Sequence, residues 1–423
     1  MKNEGNLLDK IVSLCKRRGF IYPNAEIYGG FAGFWDYGPY GVALKNNIKD
    51  LWWKMFVTDR EDMYGVDAAQ ITKYEVLQAS GHVSGFSDPL ADGSRFNTMF
   101  RTSVGAGEEA QTAYLRPETA QGIFTNFKNV IDSFHPTLPF GIAQIGKAFR
   151  NEISPRDFIF RAREFEQMEV EYFVKPAEWK EAFELWQKKM HEWMSAVGVD
   201  AKSAHELEVP DNERAHYSKR TIDFEYDFPF GRKELYGLAY RTDFDLSNHS
   251  KASGVDLFYH DEEKKEKVVP HVIEPSLGVD RTVLAVLCSA YEEDEMGGPS
   301  SAEASEGKEK RVVLKLKPAI APVKVAVFPL LKNKPELVKK AREVYELLRS
   351  AFQVTGYTIA WDDNGNIGKR YRRQDEIGTP FCVTIDFDSL EKNDVTVRDR
   401  DTGKQERVGI NAIIECIKRK LSQ

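Results

Sequence analysis

The segment 141–172 carries charged, amide and aromatic side chains at the alternating spacing of two β-strands. A charged loop over residues 153–160 is predicted to join the strands, and loops of this kind usually serve a ligand. The side chains that share the polar face of the strand pair are Gln144, Gly146, Ala148, Arg150, Glu152, Arg161, Arg163, Phe165, Gln167 and Glu169. Because a purely structural sheet buries an apolar face, this composition favours a binding surface.

Side chains of these types suit a nucleoside triphosphate that lies flat on an antiparallel sheet. An arginine fork matches phosphate oxygens with two parallel hydrogen bonds, and a phenylalanine ring is a platform for a base. A glutamate accepts a hydrogen bond from an exocyclic amine or helps to hold a metal ion on phosphates. The sequence lacks the G-x-x-x-x-G-K-[ST] and G-x-G-x-x-G phosphate loops. An exposed, salt-bridged hairpin without a ligand is the alternative interpretation.

The residues Phe149–Glu152 (F-R-N-E), followed by Arg161-x-x-x-Phe165, resemble motif 2 of the class II aminoacyl-tRNA synthetases. Gly278-Val279-Asp280-Arg281, at the head of an apolar helix, resembles motif 3. The stretches that narrow the family are LRPETAQGIF (115–124), FEQME (165–169), KELYG (233–237) and EPSLGVDR (274–281). In this order they resemble the dimeric type of glycyl-tRNA synthetase, and the resemblance runs through nearly the whole chain.

The resemblance implies an α+β fold with two domains. A class II catalytic domain on an antiparallel sheet is expected at residues 1–318, and a small α/β anticodon-binding domain at residues 319–423. A chain of 423 residues is long enough for more than one core. The segment 292–311 is acidic, then rich in Ser, Ala and Gly, then basic, so it is predicted to be mobile.

The resemblance also assigns roles in ATP binding. Arg150 would hold the amino-acid carboxylate and the α-phosphate, and Arg161 and Arg281 would grip the outer phosphates. Phe165 would stack on the adenine, and Glu152 would meet its amino group. The expected ATP-binding residues are Arg150, Asn151, Glu152, Phe160, Arg161, Phe165, Glu234, Leu235, Gly278 and Arg281, of which Arg150 and Arg281 are expected to be catalytic.

One of these assignments has independent support from the sequence. Arg281 lies in the first turn of a predicted helix, where the helix dipole disfavours a cation. A bound anion explains an arginine at that position better than the helix itself does. Asp280 beside it needs no such explanation, because a carboxylate is favoured at a helix N-terminus.

The resemblance implies glycine as the substrate, and a set of acceptors could surround the ammonium group of glycine. The expected glycine-binding residues are Glu118, Phe165, Gln167, Glu169, Glu274 and Ser276. Larger amino acids can be rejected by filling the space of their side chains, which needs no editing domain. The cofactors expected are ATP with Mg²⁺, for which Glu234 is the candidate ligand.

Other partners follow from the resemblance and from composition. A homodimer and tRNA(Gly) are implied, with Arg214, Lys369, Arg370 and Arg372 as candidate tRNA contacts. The four cysteines are scattered without a C-x-x-C pair, which argues against zinc and fits a reducing cytoplasm. No apolar run is long enough to span a membrane. A net charge of -7 leaves nucleic-acid binding to local basic patches.

Two other functions remain open from the sequence. The chain could be a class IIa synthetase for another small amino acid, although FEQME and EPS place acceptors where the ammonium of glycine would lie. It could instead be a synthetase-like accessory protein that binds nucleic acid without catalysis. Such a protein is free to lose its catalytic arginines, whereas Arg150, Arg161 and Arg281 are all retained.

Overall fold

The computed structural model describes residues 6–90, 92, 94–261, 265–296, 310–353 and 356–422. The α-helices are α1 (Leu7–Arg18), α2 (Pro39–Trp53), α3 (Tyr74–Ala79), α4 (His82–Gly85), α5 (Ala120–Phe134), α6 (Trp179–Val197), α7 (Phe244–Ser253), α8 (Val279–Ala290), α9 (Pro335–Phe352), α10 (Ile367–Ile377), α11 (Phe387–Lys392) and α12 (Ile413–Leu421). A π-helical turn at Lys54–Thr58 extends α2. None of the helices among the described residues is both long enough and apolar enough to cross a membrane.

The strands are short except around the predicted hairpin. They are β1 (Ile21–Pro23), β2 (Trp35–Tyr37), β3 (Met63–Gly65), β4 (Ile71–Lys73), β5 (Ser87–Pro89), β6 (Arg95–Asn97), β7 (Arg101–Val104), β8 (Gln111–Leu115), β9 (Phe140–Phe149), β10 (Glu164–Val174), β11 (Ala204–Glu208), β12 (Arg220–Phe228), β13 (Gly231–Thr242), β14 (Tyr259–Asp261), β15 (Glu266–Val268), β16 (His271–Gly278), β17 (Tyr291–Asp294), β18 (Arg311–Leu314), β19 (Val325–Pro329), β20 (Ile359–Trp361), β21 (Phe381–Ile385), β22 (Asp394–Asp399) and β23 (Gln405–Gly409).

The chain divides into two compact units. One unit comprises residues 23–36 and 48–285, and the other comprises residues 1–22, 37–47 and 286–423. The first unit is built on a seven-stranded sheet with the order β11-β12-β13-β16-β10-β9-β3. Every neighbouring pair in this sheet is antiparallel except β3 and β9, which run parallel. The predicted α+β fold on an antiparallel sheet is thereby confirmed.

The second strand of the hairpin, β10, starts later than the sequence predicts. Glu164 pairs with Phe149, and the register continues to Phe173 opposite Phe140. The connecting loop therefore runs over residues 150–163 rather than 153–160, and Arg161 lies in the loop and not on a strand. The prediction of a strand at Arg161 is wrong because the charged residues before Glu164 have no pairing partner on β9.

Two helices cover opposite faces of this sheet. On one face, Phe127 of α5 packs against Phe173, with ring centres 4.7 Å apart, and this cluster also contains Phe140. On the other face, Trp186 of α6 packs against Tyr172, with ring centres 5.4 Å apart. The aromatic stripe of α6 is buried core, since Trp186 and Trp193 are both fully buried. The sheet is therefore held rigidly from both sides.

The second unit contains a five-stranded sheet with the order β20-β19-β21-β22-β23. β19 runs parallel to both β20 and β21, whereas the pairs β21–β22 and β22–β23 are antiparallel. This arrangement agrees with the small mixed sheet expected from the alternation of strands and helices. Helix α11 is an addition to the predicted order, and Asp386 caps it by accepting a hydrogen bond from the backbone N–H of Ser389.

In the same unit, the prediction that segment 292–311 is mobile is corrected at both ends of the segment. Strand β17 pairs with β18, with Glu292 opposite Val313 and Asp294 opposite Arg311. The two ends of the segment are therefore ordered strands, because residues near one end complete a ladder with residues beyond the other. The middle of the segment, at 297–309, lies outside the described residues.

A buried chain of hydrogen bonds links α6 to the start of α8. The indole N–H of Trp193 donates to the hydroxyl of Tyr236 at 3.2 Å, and that hydroxyl lies 3.0 Å from Thr282 Oγ1. Thr282 in turn donates to the carbonyl of Gly278 at 2.7 Å. The chain ties the core to the strand–helix junction that carries Arg281.

Replacing Tyr236 with phenylalanine should lower the free energy of unfolding by about 1–3 kcal/mol, because it leaves the buried indole N–H of Trp193 without an acceptor. Urea titration followed by circular dichroism measures this loss. The exposed ring of Tyr28 provides the control, since Tyr28→Phe should change stability by less than about 0.5 kcal/mol. Equal stability of the two variants would contradict a structural role for the hydroxyl of Tyr236.

Candidate active site

One cavity in the first unit collects most of the predicted ATP-binding and glycine-binding residues. Its walls come from β10, β12, β13, β16, the head of α8 and the loop 150–163. The predicted residues that line it are Glu118, Arg150, Glu152, Phe160, Arg161, Phe165, Gln167, Glu169, Arg214, Glu234, Leu235, Glu274, Ser276, Gly278 and Arg281. Asn151 is absent from this lining, and its backbone N–H donates to the carbonyl of Thr98 at 2.7 Å. Its assignment stays a prediction.

Arg150 is held between two aromatic rings at the end of β9. Its guanidinium carbon lies 5.3 Å from the ring centre of Phe165 and 5.2 Å from that of Phe86. Nε donates to the carbonyl of Pro117 at 3.0 Å, which fixes the plane of the guanidinium. The terminal nitrogens are thus aimed by groups on three different segments, as a site for an anion requires.

Arg161 and Glu152 form a pair across the loop. Arg161 Nε donates to Glu152 Oε2 at 2.7 Å, and a terminal nitrogen of Arg161 lies 3.7 Å from Asp88. The sequence assigns Arg161 to phosphate and Glu152 to adenine. The structure places both at one cavity wall, where each neutralises the other.

Arg281 lies at the opposite wall, in the first turn of α8. Its NH1 donates to the backbone carbonyl of Glu234 at 3.0 Å and lies 3.3 Å from the carboxylate of the same residue. Its guanidinium carbon is 4.5 Å from the ring centre of Phe160. Arg281 therefore faces the cavity from the first turn of a helix, where the sequence predicts that it binds an anion. Asp280 accepts the backbone N–H of Glu166 at 2.7 Å, which ties α8 to β10.

The deep end of the cavity is acidic and its carboxylates are hydrogen-bonded. Glu169 accepts from the hydroxyl of Ser276 at 2.8 Å and also from the hydroxyl of Thr119. Glu118 accepts from the amide of Gln121 at 3.0 Å. The buried Oε1 of Gln167 has no hydrogen-bond partner among the described residues. These acceptors fit a small ammonium group.

Arg241 holds the carboxylates at this acidic end through buried hydrogen bonds. It is 1% exposed, and it donates to Asp245 through Nε at 2.8 Å and through NH2 at 2.9 Å. NH1 donates to Glu274 at 2.8 Å. Asp243, the neighbour of Arg241 in sequence, is not one of these partners. Arg241 instead lies on the pocket-side face of β13, where Glu274 of the next strand and Asp245 of α7 meet it.

Burial and mutual repulsion shift the pKa values of the carboxyl groups in different directions. Burial alone would raise the pKa of Glu118, but the charge of His82 and a hydrogen bond from it hold this pKa below its usual range. Burial and the charge of Glu118 raise the pKa of Glu169. Burial raises the pKa of Glu274 above its usual range, with Arg241 opposing the shift and Glu169 adding to it. Neighbouring carboxylates that cannot all ionise behave in this way.

Near Glu234 and Arg281, Asp223 also has a shifted pKa. Burial, followed by the charges of Glu234 and Glu225, raises the pKa of Asp223 to about 7. Asp223 pairs with Gly237 across the sheet, and Glu225 pairs with Glu234. Because Gly237 has no side chain, the sheet leaves room for a ligand beside Asp223. The carboxylate oxygens of Asp223, Glu225 and Glu234 would stabilise a cation bound there.

Sequence reasoning missed His82, which belongs to the acidic end. Its Nε2 lies 3.3 Å from Glu118 Oε2, and its Nδ1 lies 2.7 Å from the hydroxyl of Ser80. The same short helix α4 leads to Phe86, the ring that contacts Arg150. No spacing rule could have joined His82 to Glu118, because strands β5, β6, β7 and β8 lie between them in the chain.

The candidate tRNA contacts are distributed over both units. Arg370 is buried and donates to the carbonyls of Asp363 at 3.0 Å and Gly365 at 2.8 Å, which argues against a direct contact with tRNA. Its guanidinium instead closes the loop before α10. Lys369 is exposed, and Arg372 is half-buried. Arg214 donates to the carbonyl of Val209 at 3.1 Å and lines the cavity. The assignments of these three residues stay predictions.

Comparison with known proteins agrees with this geometry. Residues 100–290 match the model of the tRNA synthetase class II core domain (G, H, P, S and T), and residues 324–420 match the anticodon binding domain. A glycine--tRNA ligase of Thermobifida fusca (strain YX) is 47% identical over 472 residues, with 100% of each chain covered. The chain belongs to the glycine--tRNA ligase family.

Other members of the glycine--tRNA ligase family show the same level of similarity. The enzyme of Streptomyces coelicolor is 48% identical and that of Clostridium tetani is 46% identical, with 96% and 98% of each chain covered. In this family member, therefore, the antiparallel core and the anticodon-binding fold occur in the order that the sequence motifs indicated. The resemblance stated from those motifs is confirmed.

Replacing His82 with alanine should raise the KM for glycine by about 10- to 100-fold, because a hydrogen bond to a charged group contributes about 1.5–3 kcal/mol. His82→Gln keeps a donor and should lose less. ATP–pyrophosphate exchange at varied glycine and ATP concentrations measures the KM for glycine and the KM for ATP. The exposed His260 provides the control variant, His260→Ala, which should behave as wild type. An unchanged KM for glycine in His82→Ala would show that His82 does not hold Glu118.

Proposed function

We propose that this protein activates glycine with ATP to form glycyl-adenylate and then transfers the glycyl group to the 3′ end of tRNA(Gly). The observation that carries the proposal is the joining of two sites in one cavity. An acidic end formed by Glu118, Glu169 and Glu274 lies beside an anion site formed by Arg150. The first site fits an ammonium group and the second fits a carboxylate or phosphate.

The activation step follows from this arrangement. A carboxylate oxygen of glycine attacks the α-phosphorus of ATP, the bond to the β-phosphate breaks, and pyrophosphate leaves with the electron pair. No proton has to move, so the protein contributes orientation and charge neutralisation. Arg150 is placed to neutralise charge at the α-phosphate, and Arg281 and Arg161 face the cavity where the leaving phosphates would lie. In the second step the terminal ribose hydroxyl displaces AMP.

Selection of glycine is explained by the closed, polar lining of the acidic end. Glu169 is 2% exposed and Glu274 is 6% exposed. The hydroxyls of Thr119 and Ser276 and the guanidinium of Arg241 hold their carboxylates in place. A larger amino acid would bring a side chain against these filled positions, and steric rejection of this kind needs no editing site.

Mg²⁺ is the metal that fits the triphosphate end. Glu234 is a half-exposed carboxylate, and Asp223 and Glu225 lie on the neighbouring strand. Oxygen donors of this type suit Mg²⁺, which binds one or two carboxylates together with phosphate oxygens. Bound there, Mg²⁺ would neutralise phosphate charge. Glu234 would have to share its carboxylate between the metal and Arg281.

The remaining parts of the proposal concern domains, partners and location. We divide the chain at residue 318 into a catalytic and an anticodon-binding domain, and Lys369 and Arg372 are the proposed tRNA contacts of the latter. A homodimer is supported by the largely exposed apolar side chains of Ile27 and Phe31. A cytoplasmic location is supported by the four cysteines, all of which are free thiols.

The first test is ATP–pyrophosphate exchange with each of the twenty amino acids. Exchange with glycine alone supports the proposal, and exchange with a different amino acid replaces glycine as the substrate. Absence of exchange in folded protein with Mg²⁺ would leave the non-catalytic accessory function as the better description.

Arg150→Ala should reduce kcat for exchange by about 10²–10³-fold, the usual cost of removing one donor that stabilises developing charge. Arg150→Lys should recover little of this loss, because an ammonium cannot form two parallel bonds to one anion. Arg101 lies on an exposed strand outside the cavity, and Arg101→Ala is the matched control. Wild-type kcat in Arg150→Ala would remove Arg150 from the mechanism.

Glu234→Gln should raise the Mg²⁺ concentration required for half-maximal exchange severalfold, because the carboxamide is a weaker ligand for a hard cation. Titration of Mg²⁺ at saturating ATP and glycine measures the shift. Glu266→Gln, on the exposed strand β15, serves as the control. An unchanged Mg²⁺ requirement together with a raised KM for ATP would assign Glu234 to the orientation of Arg281 alone.

A further inference from the structure

Glu171 is a buried acid that the proposed mechanism does not use. It lies two residues beyond Glu169 on β10 and is 0% exposed. Both of its carboxylate oxygens are buried and lack a hydrogen-bond donor among the described residues. An ionised carboxylate in such a position would be costly, so this side chain requires an explanation of its own.

The sheet places Glu171 directly behind the proposed ammonium site. Glu169 pairs with Ser276 and Tyr172 pairs with Ile273, so Glu171 lies beside Glu274 of β16. Glu169, Glu171 and Glu274 each bring one oxygen to a common point, with these oxygens within 4.8 Å of one another. Three buried carboxyl groups thus share one face of the sheet.

The charges that face Glu171 cannot stabilise three ionised carboxylates. Arg241 of β13 is the nearby cation, and its hydrogen bonds are directed at Asp245 of α7 and at Glu274. Tyr217 stacks on Arg241, with 3.8 Å between the guanidinium carbon and the ring centre, and brings no positive charge. Against one guanidinium stand the acids Glu169, Glu171, Glu274 and Asp245. The excess negative charge must be removed by a proton or by a cation.

A proton fits the geometry better than a resident metal ion does. The carboxylate of Glu169 already accepts from Thr119 and Ser276, and that of Glu274 accepts from Arg241. A metal ion would have to compete with these donors, whereas a proton on Glu171 uses an acid that none of them reaches. Burial, followed by the charge of Glu274, raises the pKa of Glu171 well above its usual range. The charge of Arg241 opposes this rise at both Glu171 and Glu274, but of these two acids only Glu274 accepts a hydrogen bond from Arg241, so Glu171 is the acid that keeps a proton.

We propose that Glu171 is a positioning residue which remains a neutral acid at neutral pH and donates a hydrogen bond to Glu274. In this arrangement Glu274 is held from two sides, by Arg241 and by Glu171, with its charge kept for the ammonium group of glycine. The inference rests on the proposed glycine-activating function. It adds a specificity-determining donor behind the residues that touch the substrate.

Two substitutions separate the possible roles of Glu171. Glu171→Gln keeps a donor of the same shape and carries no charge, so the KM for glycine should remain near the wild-type value. Glu171→Leu removes the donor and should raise the KM for glycine by about tenfold, because a hydrogen bond to a charged group is lost. The KM for ATP should stay unchanged in both variants. Glu164→Gln, on the same strand and outside the cavity lining, is the matched control.

Infrared difference spectroscopy tests the proton directly. The difference spectrum of wild type minus Glu171→Gln should contain the C=O stretch of a protonated carboxyl group between pH 6 and 9, shifted in D₂O, and the difference spectrum of wild type minus Glu164→Gln should lack it. Other protonated carboxyl groups, such as Asp223 with its pKa of about 7, are common to these proteins and cancel in the subtraction. Because the band is measured without substrate, it reports on the proton of Glu171 independently of catalysis. Circular dichroism confirms that each variant is folded before either measurement.

Three results would overturn the inference. Absence of the carboxyl band would show that Glu171 is ionised, and a loss in Glu171→Gln as large as that in Glu171→Leu would show that its charge is required, as a cation site demands. Wild-type KM values in Glu171→Leu would remove its positioning role. If the wild-type protein shows the band but no glycine-dependent exchange, the proposed function fails while the neutral acid stands.

Discussion

The burial of Arg241 is the constraint on which the cavity depends. A guanidinium that is 1% exposed must be matched by acceptors, and it receives them from Asp245 on α7 and Glu274 on β16. Breaking such a pair is costly because it leaves a buried charge uncompensated. The pair therefore fixes the relative positions of a helix and two strands. It also keeps an acidic surface at the deep end of the cavity that would otherwise repel itself.

The sheet face that carries these charges is divided between structural and chemical roles. Near one end, Phe140 and Phe173 pack under α5 in an apolar cluster. Further along β10 the same face carries the buried acids Glu171 and Glu169 and then Phe165, whose ring contacts Arg150. Rigid packing at the apolar end holds the polar end in register, so its groups need little reorganisation when substrates bind.

Much of the fold was predictable because its signals are local. Helix α1 spans Leu7–Arg18 because its ends carry local signals: Asn6 accepts the backbone N–H of Leu8, and Gly19 adopts a left-handed conformation with φ 74°. The hairpin of β9 and β10 follows from alternation along the chain. The boundary at Arg161 was missed because charged residues alternate in the loop as regularly as they do in the strand, and only the pairing with β9 distinguishes the two.

Prediction was less complete wherever a residue acts through a distant partner. Arg370 belongs to a basic and aromatic cluster in the sequence, yet backbone carbonyls at Asp363 and Gly365 bury it. His82 carries no local signal, and its contact with Glu118 depends on the path of the intervening sheet. A composition rule treats such residues as surface charges, because it contains no information on which element covers them.

The sequence by itself determined the motifs, their order and the family to which they belong, because each motif is a short run of residues whose types match its chemistry. Only the tertiary structure decided which carboxyl groups are brought together, and which of them hydrogen-bond donors reach. Glu169, Glu171 and Glu274 look alike in the sequence. Donors from Thr119, Ser276 and Arg241 reach two of these acids and leave the third without one. That distinction exists only after the strands have paired.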